Sequence, residues 1–127
     1  MDHADSHSNR LTEKIIGCAY AVANNLGYGF LEKVYENALI HELRKNGIPA
    51  LNQQAILVYY DGVVVGDYYV DILVNNEIVV ELKTAKAIDA SHVAQCLNYL
   101  KATNKKIGLL INFGNSRVEV KRLVNGF

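Results

Sequence analysis

The sequence predicts a small α/β layered domain, with helices on both sides of a β-sheet and the element order α-α-β-β-β-α-β-β. Three observations lead there. Apolar residues recur at helical spacing in two segments near the start and in one late segment. Between and after these lie short apolar runs punctuated by turn dipeptides. The two runs that flank Asn75 are apolar on both faces, which puts that hairpin in mid-sheet with helices on either side.

Met1 to Arg10 is polar, carries His3 and His7, and reads as a flexible tail without the apolar stretch of a signal peptide. Residues 11–127 then form a single domain, the usual outcome for a chain of 127 residues. Leu11 to Leu26 is a helix whose stripe includes Leu11, Ile15, Ala19, Val22 and Leu26, with Gly27 as its stop. A second helix runs from about Leu31 to Asn46 on Leu31, Val34, Tyr35, Leu39 and Leu43. Arg44 and Lys45 occupy its last turn, Gly47 is the C-cap, and Pro49 lies beyond.

Gln54 to Tyr60 is a strand, turned by Asp61-Gly62 into Val63 to Val65, and this hairpin counts as one element. Tyr68 to Val74 and Ile78 to Lys83 follow as strands, joined around Asn75-Asn76. Asp89 to Thr103 is a helix built on Val93, Ala94, Leu97 and Leu100, with Asp89 as N-cap. Ile107 to Phe113 and Arg117 to Leu123 are the last strands, around Gly114-Asn115.

Composition narrows the function. Half the residues are hydrophobic, and the 13 basic and 13 acidic side chains cancel, so a packed core is expected and general disorder is not. A protein that grips nucleic acid unaided carries a basic excess, and this one does not. Nucleic-acid binding would need a local patch, metal ions or a partner. Lys101, Lys105 and Lys106 cluster at the end of the third helix, and Lys83 and Lys86 flank its start. They could line one edge, although charge at a helix C-terminus is ordinarily a solvated end. Cys18 and Cys96 each fall in a helical segment and read as small buried hydrophobes in a reducing cytosol. No CxxC or Cys/His cluster suggests zinc. No run reaches the ~18 apolar residues that span a bilayer. The expectation is a soluble, cytoplasmic protein without a membrane partner.

The central hairpin carries the chemistry. Asp71, Glu81 and Lys83 interrupt stretches that are otherwise nearly all apolar, and such side chains are seldom buried unless paired or coordinating. Glu81 and Lys83 are two apart and share a strand face. Whether Asp71 joins them depends on register. A two-residue loop pairs Val70 with Glu81, whereas a three-residue loop, Asn75-Asn76-Glu77, pairs Val74 with Ile78 and sets Asp71 opposite Glu81. Two opposed carboxylates with Cβ atoms ~5 Å apart repel each other unless a cation lies between them. Mg²⁺ suits one or two carboxylates, waters and a substrate phosphate. Lys83 can then hold an attacking water or stabilise charge on phosphate. A buried ion pair between Lys83 and one carboxylate is the plain alternative, and it leaves the second carboxylate unexplained.

Asp71, nine intervening residues and Glu81-Leu82-Lys83 resemble the signature of the PD-(D/E)xK nuclease superfamily. Gly29-Phe30-Leu31-Glu32-Lys33-Val34-Tyr35 resembles the motif of the GxxExxY proteins, small bacterial and archaeal members of that superfamily. The resemblance runs from about Leu11 to the C-terminus. The Pro of the superfamily signature is Val70 here, and that Pro supplies no ligand.

The resemblance implies a restriction-endonuclease-like core, a central mixed β-sheet flanked by helices. It implies metal-binding carboxylates at Asp71 and Glu81, the Leu82 carbonyl as a backbone ligand, Lys83 as the catalytic lysine, and Glu32 as a helix-borne acid that joins the metal site. Gln95 and Tyr99, four apart on one helix face, resemble the QxxxY element of RecB-type nucleases. Each has a plain alternative: Tyr99 as core, Gln95 as a solvated group, and Glu32 as an acid favoured by a helix start. His92 could reach the same face but reads more simply as a surface histidine, and Tyr35 as packing.

The expected function is a Mg²⁺- or Mn²⁺-dependent phosphodiesterase acting on nucleic acid, DNA first. A homodimer or a protein partner could supply recognition. The alternative is a catalytically silent nuclease-fold module that binds a protein or nucleic acid. Such a module would be expected to have lost a carboxylate or the lysine, and all three are present.

Overall fold

The computed structural model describes residues 3–126; Met1, Asp2 and Phe127 lie outside the described residues. The elements are α1 (His3–Leu26), α2 (Glu32–Lys45), β1 (Ala50–Tyr60), β2 (Val63–Val74), β3 (Ile78–Lys83), α3 (Ala90–Thr103), β4 (Ile107–Asn112) and β5 (Glu119–Val124). This is the order that the sequence predicts, with two differences in what fills it.

First, α1 begins at His3 and not at Leu11, so the polar segment expected to be a flexible tail is helical over its described residues. Its side chains have tertiary partners: His7 Nε2 lies 3.1 Å from Glu77 Oε1 in the β2–β3 turn, and Arg122 on β5 donates to Asn9 Oδ1 at 3.1 Å. Polar composition looks the same in a tail and in a helix end docked this way.

Second, Val63–Val65 and Tyr68–Val74 belong to one 12-residue strand. The two-residue turn at Asp61-Gly62 holds, with both residues at positive φ as its mirror-image geometry requires. The extra residue is absorbed by a bulge, where Val58 opposes Gly66 and Tyr59 opposes Val64.

The sheet order is β1-β2-β3-β4-β5, with β3 and β4 parallel and every other pair antiparallel. It is a mixed sheet flanked by helices, and α3 is the crossover between the parallel strands. Ile15, Tyr35, Leu39 and Leu43 of α1 and α2 pack on one face, against Ile72, Val80, Leu82 and Ile111. Cys96, Tyr99 and Leu100 of α3 pack on the other, against Ile56, Val79 and Leu123. Covered on both sides, β4 is buried along its whole length and β3 except at Lys83, which is why both read as mostly apolar runs, interrupted in β3 by Glu81 and Lys83.

Helix ends follow local chemistry. At the end of α2, Gly47 takes φ +75°, its N–H reaches the Arg44 carbonyl, and the Ile48 N–H reaches Leu43, a Schellman closure. Asp89 caps α3 by accepting from Ser91 and His92, as its position predicts.

One irregularity bears on function. Val70 packs with the α3-side cluster, yet Ile72 and Val74 pack with the opposite one. The alternation along β2 therefore slips at Asp71, opposite Gln53, whose φ is +49°.

Candidate active site

The β2–β3 hairpin has the three-residue loop that the register argument requires: Val74 pairs with Ile78, Leu73 with Val79, and Ile72 with Val80. Both Asn75 and Asn76 adopt left-handed φ, one more than the single such residue a loop of this length needs. Backbone pairing stops at Ile72 and Val80. One step further on, side chains take its place. The Asp71 N–H donates to Glu81 Oε1 at 3.1 Å, and the Leu82 N–H donates to Asp71 Oδ2 at 2.8 Å. Each carboxylate thus holds the other strand's backbone and keeps one oxygen outside these bonds.

Electrostatics record the crowding. Burial and then the Asp71 charge push the Glu81 carboxyl up to about 8. Asp71 is raised as well, first by burial and also by the charge of Glu36, against the lowering effect of the Leu82 N–H. Two acids this close cannot both ionise cheaply without a positive charge between them.

Lys83 extends from the end of β3 and donates to Gln95 Oε1 on α3 at 3.0 Å. An ammonium has three donors, so two remain for other acceptors. Tyr99, one turn after Gln95, is raised first by burial and then by the Glu81 and Asp71 charges, which places its hydroxyl in the field of the carboxylates. Its ring is largely buried and lies 5.8 Å from that of Tyr68. His92 turns back to the helix start, its Nδ1 accepting from the Asp89 N–H, and belongs to the capping box. In an extended strand the N–H and C=O of one residue share an edge. The Leu82 N–H points to Asp71, and its carbonyl lies on that same edge of β3.

The GxxExxY segment closes the site from the α2 side. Gly29 has φ +113°, a conformation that side-chain-bearing residues rarely adopt. The Tyr35 hydroxyl accepts from the Phe30 N–H and donates to the Gly27 carbonyl at 2.7 Å. Its ring stacks on Phe113 at 4.7 Å, so Tyr35 is packing, as expected, and also a latch on the turn. Glu32, the first residue of α2, is half-buried. Its carboxyl is raised by burial and by the Asp71 charge, with Lys83 acting in the opposite direction.

Sequence reasoning missed Glu36, one helical turn after Glu32. It is only 3% exposed, accepts from Gln53 Nε2 at 2.7 Å, pairs with Lys33 Nζ, and acts on both Asp71 and Glu32. A glutamate on the buried arc shared with Tyr35, Leu39 and Leu43 was the readable signal. Asn112, fully buried, was also missed. Its side chain bonds Ala85 N–H, Ala85 C=O, Gly114 N–H and Glu119 Oε1, each at 2.9 to 3.0 Å. It pins the chain just beyond Lys83. Gly114 belongs to the same lock, because a Cβ there would lie 2.1 Å from the Ala85 carbonyl oxygen.

Among the described residues, no group of three or more His, Cys, Asp or Glu side chains is arranged to hold a metal ion unaided. Magnesium does not ask for one, since it is usually bound by one or two carboxylates with water and substrate phosphate. Two hard-oxygen carboxylates with a backbone carbonyl on the same strand edge fit that donor set. The lysine cluster divides: Lys105 is tied to the Asn76 carbonyl at 2.8 Å, at the end of the hairpin away from Asp71 and Glu81. Both cysteines are buried and free, and burial with the Glu81 charge pushes the Cys96 thiol up to about 12, so it stays protonated. No helix among the described residues is long and apolar enough to cross a membrane.

The crystal structure of SSO0001 has a similar fold, with a TM-score of 0.57 at 20% identity. The alignment covers 96% of this chain and 61% of that one, so the chain spans less than two thirds of its length. No curated protein matches the chain. A family model does: residues 9–123 match that of the PD-(D/E)XK nuclease superfamily, a span that takes in most of α1, all of α2 and α3, the carboxylate hairpin and all but the last residue of the sheet. The mixed sheet and the hairpin geometry agree with that match, and the chain belongs to the PD-(D/E)XK nuclease superfamily.

Proposed function

We propose that this protein is a metal-dependent phosphodiesterase that cleaves nucleic acid, DNA in the first instance, and that it belongs with the GxxExxY proteins of its superfamily. One observation carries the reading. Asp71 and Glu81 interlock at the end of a backbone ladder, and Lys83 is held beside them by Gln95.

Asp71, Glu81 and the Leu82 carbonyl would hold Mg²⁺ or Mn²⁺, with Glu32 and Glu36 completing the acidic wall. Such an ion supplies Lewis acidity at the phosphoryl oxygen and a more acidic water. The remaining work belongs to the chain. Lys83 donates to the attacking water or to a phosphate oxygen, and Gln95 fixes the direction of its Nζ. Asn112 and Gly114 hold the segment after Lys83, so the ammonium does not swing away. Tyr99, largely buried, excludes water from the α3 side, with its hydroxyl in the field of the carboxylates.

The test is a panel of single-stranded, double-stranded and branched DNA and RNA substrates, incubated with Mg²⁺ or Mn²⁺. Wild type should cleave at least one class, DNA before RNA. Lys83→Ala should lose that cleavage by about 10²-fold or more, the scale of removing one preorganised charge from a transition state. Failure to cleave any substrate with either metal would turn the reading to a silent binding module.

A further inference from the structure

A groove of about 850 Å³ runs beside the carboxylates, between the β1–β2 hairpin and the outer side of α3. Tyr59, Tyr68 and Tyr99 give it three aromatic rings, and Gln95, Asn98 and Lys101 give it two amides and a cation. It is continuous with the site, because Gln95, which lines it, holds Lys83 at 3.0 Å, and Tyr99, which also lines it, lies in the field of the two acids. Tyr59 is 60% exposed and Tyr68 49%, so both present ring surface to an incoming group.

The chemistry selects the occupant. A duplex is gripped through its phosphates and demands many cations, but among the described residues Lys101 is the one lysine or arginine on this wall, and the chain has no net charge. A single strand is held differently, by bases stacked on aromatic rings beside a modest positive track. A second copy adding to the sheet edge fits poorly. β1 is the edge strand on this side of the sheet, and the bulge at Val58/Tyr59 and the left-handed Gln53 both break its regular pairing surface.

We infer that this groove binds a single strand of nucleic acid, with bases stacked on Tyr59 and Tyr68 and the backbone led past Lys101 to Lys83. The direction of the strand rests on the phosphodiesterase reading above; the binding does not.

Fluorescence anisotropy of the full chain, in EDTA, with a labelled 12-nucleotide thymidylate strand and a 12-base-pair duplex separates the two. The single strand should bind at least tenfold tighter than the duplex. Tyr59→Ala and Tyr68→Ala should each weaken it by about tenfold, the scale of one lost base–aromatic stack, while Tyr59→Phe binds as wild type does. Lys101→Ala should weaken binding and flatten its salt dependence. Tyr59 is exposed enough to be removed without breaching the core, and a melting curve on each variant checks the fold.

Equal or tighter duplex binding, or a Tyr59→Ala variant that binds the strand normally, overturns the inference. So does a Tyr59→Ala variant that splits a wild-type dimer and leaves strand affinity intact. Cleavage of the same strand with Mn²⁺ keeps the two ideas apart. Cleavage with unchanged Tyr59→Ala binding defeats the groove and spares the nuclease. Binding through Tyr59 without cleavage by either metal does the reverse.

Discussion

Asp71 and Glu81 interlock across the β2–β3 hairpin: the Glu81 carboxylate accepts the Asp71 N–H, and the Asp71 carboxylate accepts the N–H of Leu82. The acids thereby replace the next rung of a ladder that ends at Ile72 and Val80. The two carboxylates proposed to hold a metal ion also hold the strands together at the point where they part. Structure and chemistry are coupled here, and the coupling can be measured.

Neutralising one acid should separate metal binding from folding. Asp71→Asn removes a proposed charged ligand and a like-charge neighbour of Glu81. In the absence of metal it should melt a few degrees above wild type, and it should lose most of the Mn²⁺-dependent rise in Tm, since a ligand that binds only the folded state stabilises it. Lys83→Ala should bind Mn²⁺ as tightly as wild type or tighter, because a cation next to the ion is gone. Calorimetric titration with Mn²⁺ and melting curves on all three proteins check both.

Stability should fall as pH rises. Glu81 ionises near 8 in the fold and near its ordinary value of 4.5 when unfolded, so between those values the folded state binds more protons. Its contribution is fully present below about 4.5 and lost as pH climbs through about 8. Asp71 and Glu32 are raised too and act in the same sense. In chelator, Tm should drop on the order of 5 °C between pH 5 and pH 8.5. Glu81→Gln should flatten most of that slope, and saturating Mn²⁺ should reverse it. A wild-type Tm that rises over this range would contradict the assignment.

Glu36 should matter as much as Glu32. Buried beside Asp71, it adds negative charge where a cation is proposed. Glu36→Gln keeps the shape and the bond to Gln53, so the fold should persist, with Mn²⁺ affinity down about tenfold. Glu32→Gln should give a similar loss. If Glu36→Gln binds Mn²⁺ normally and only Glu32→Gln fails, Glu36 is an anchor for Gln53 and Lys33.

The lock behind Lys83 should be costly to break. Gly114→Ala drives a methyl into the Ala85 backbone, and Asn112→Ala leaves the half-buried Ala85 and Gly114 groups without their partner. Each should cost ~2–4 kcal/mol in urea unfolding, as buried unpaired polar groups and backbone clashes do. Val64→Ala, on the exposed hairpin tip, is the neutral comparison.

Much of the fold could be read from the chain because its signals are local. Helical spacing, Asp89 as a cap and the Asp61-Gly62 turn each depend on a few neighbouring residues, and each appears in place. The errors arose where a partner is distant. His7 and Asn9 look like tail until Glu77 and Arg122 meet them, and Gly66 looks like a break until the bulge opposite it is seen.

The sequence by itself determined the hairpin register. Side chains alternate with period two, so only an odd loop could bring Asp71 to Glu81, and the loop has three residues. It also determined that Glu81 and Lys83 share a face. Tertiary structure alone decided the rest: the parallel pairing of β3 with β4, the reach of Gln95 to Lys83, and the burial of Glu36 and Asn112. Glu36 meets Gln53 across 17 positions and Asn112 meets Ala85 across 27. No periodicity spans such distances. Only the packing of helices on the sheet sets which polar groups are enclosed together, and enclosure is what turns an ordinary glutamate or asparagine into part of a site.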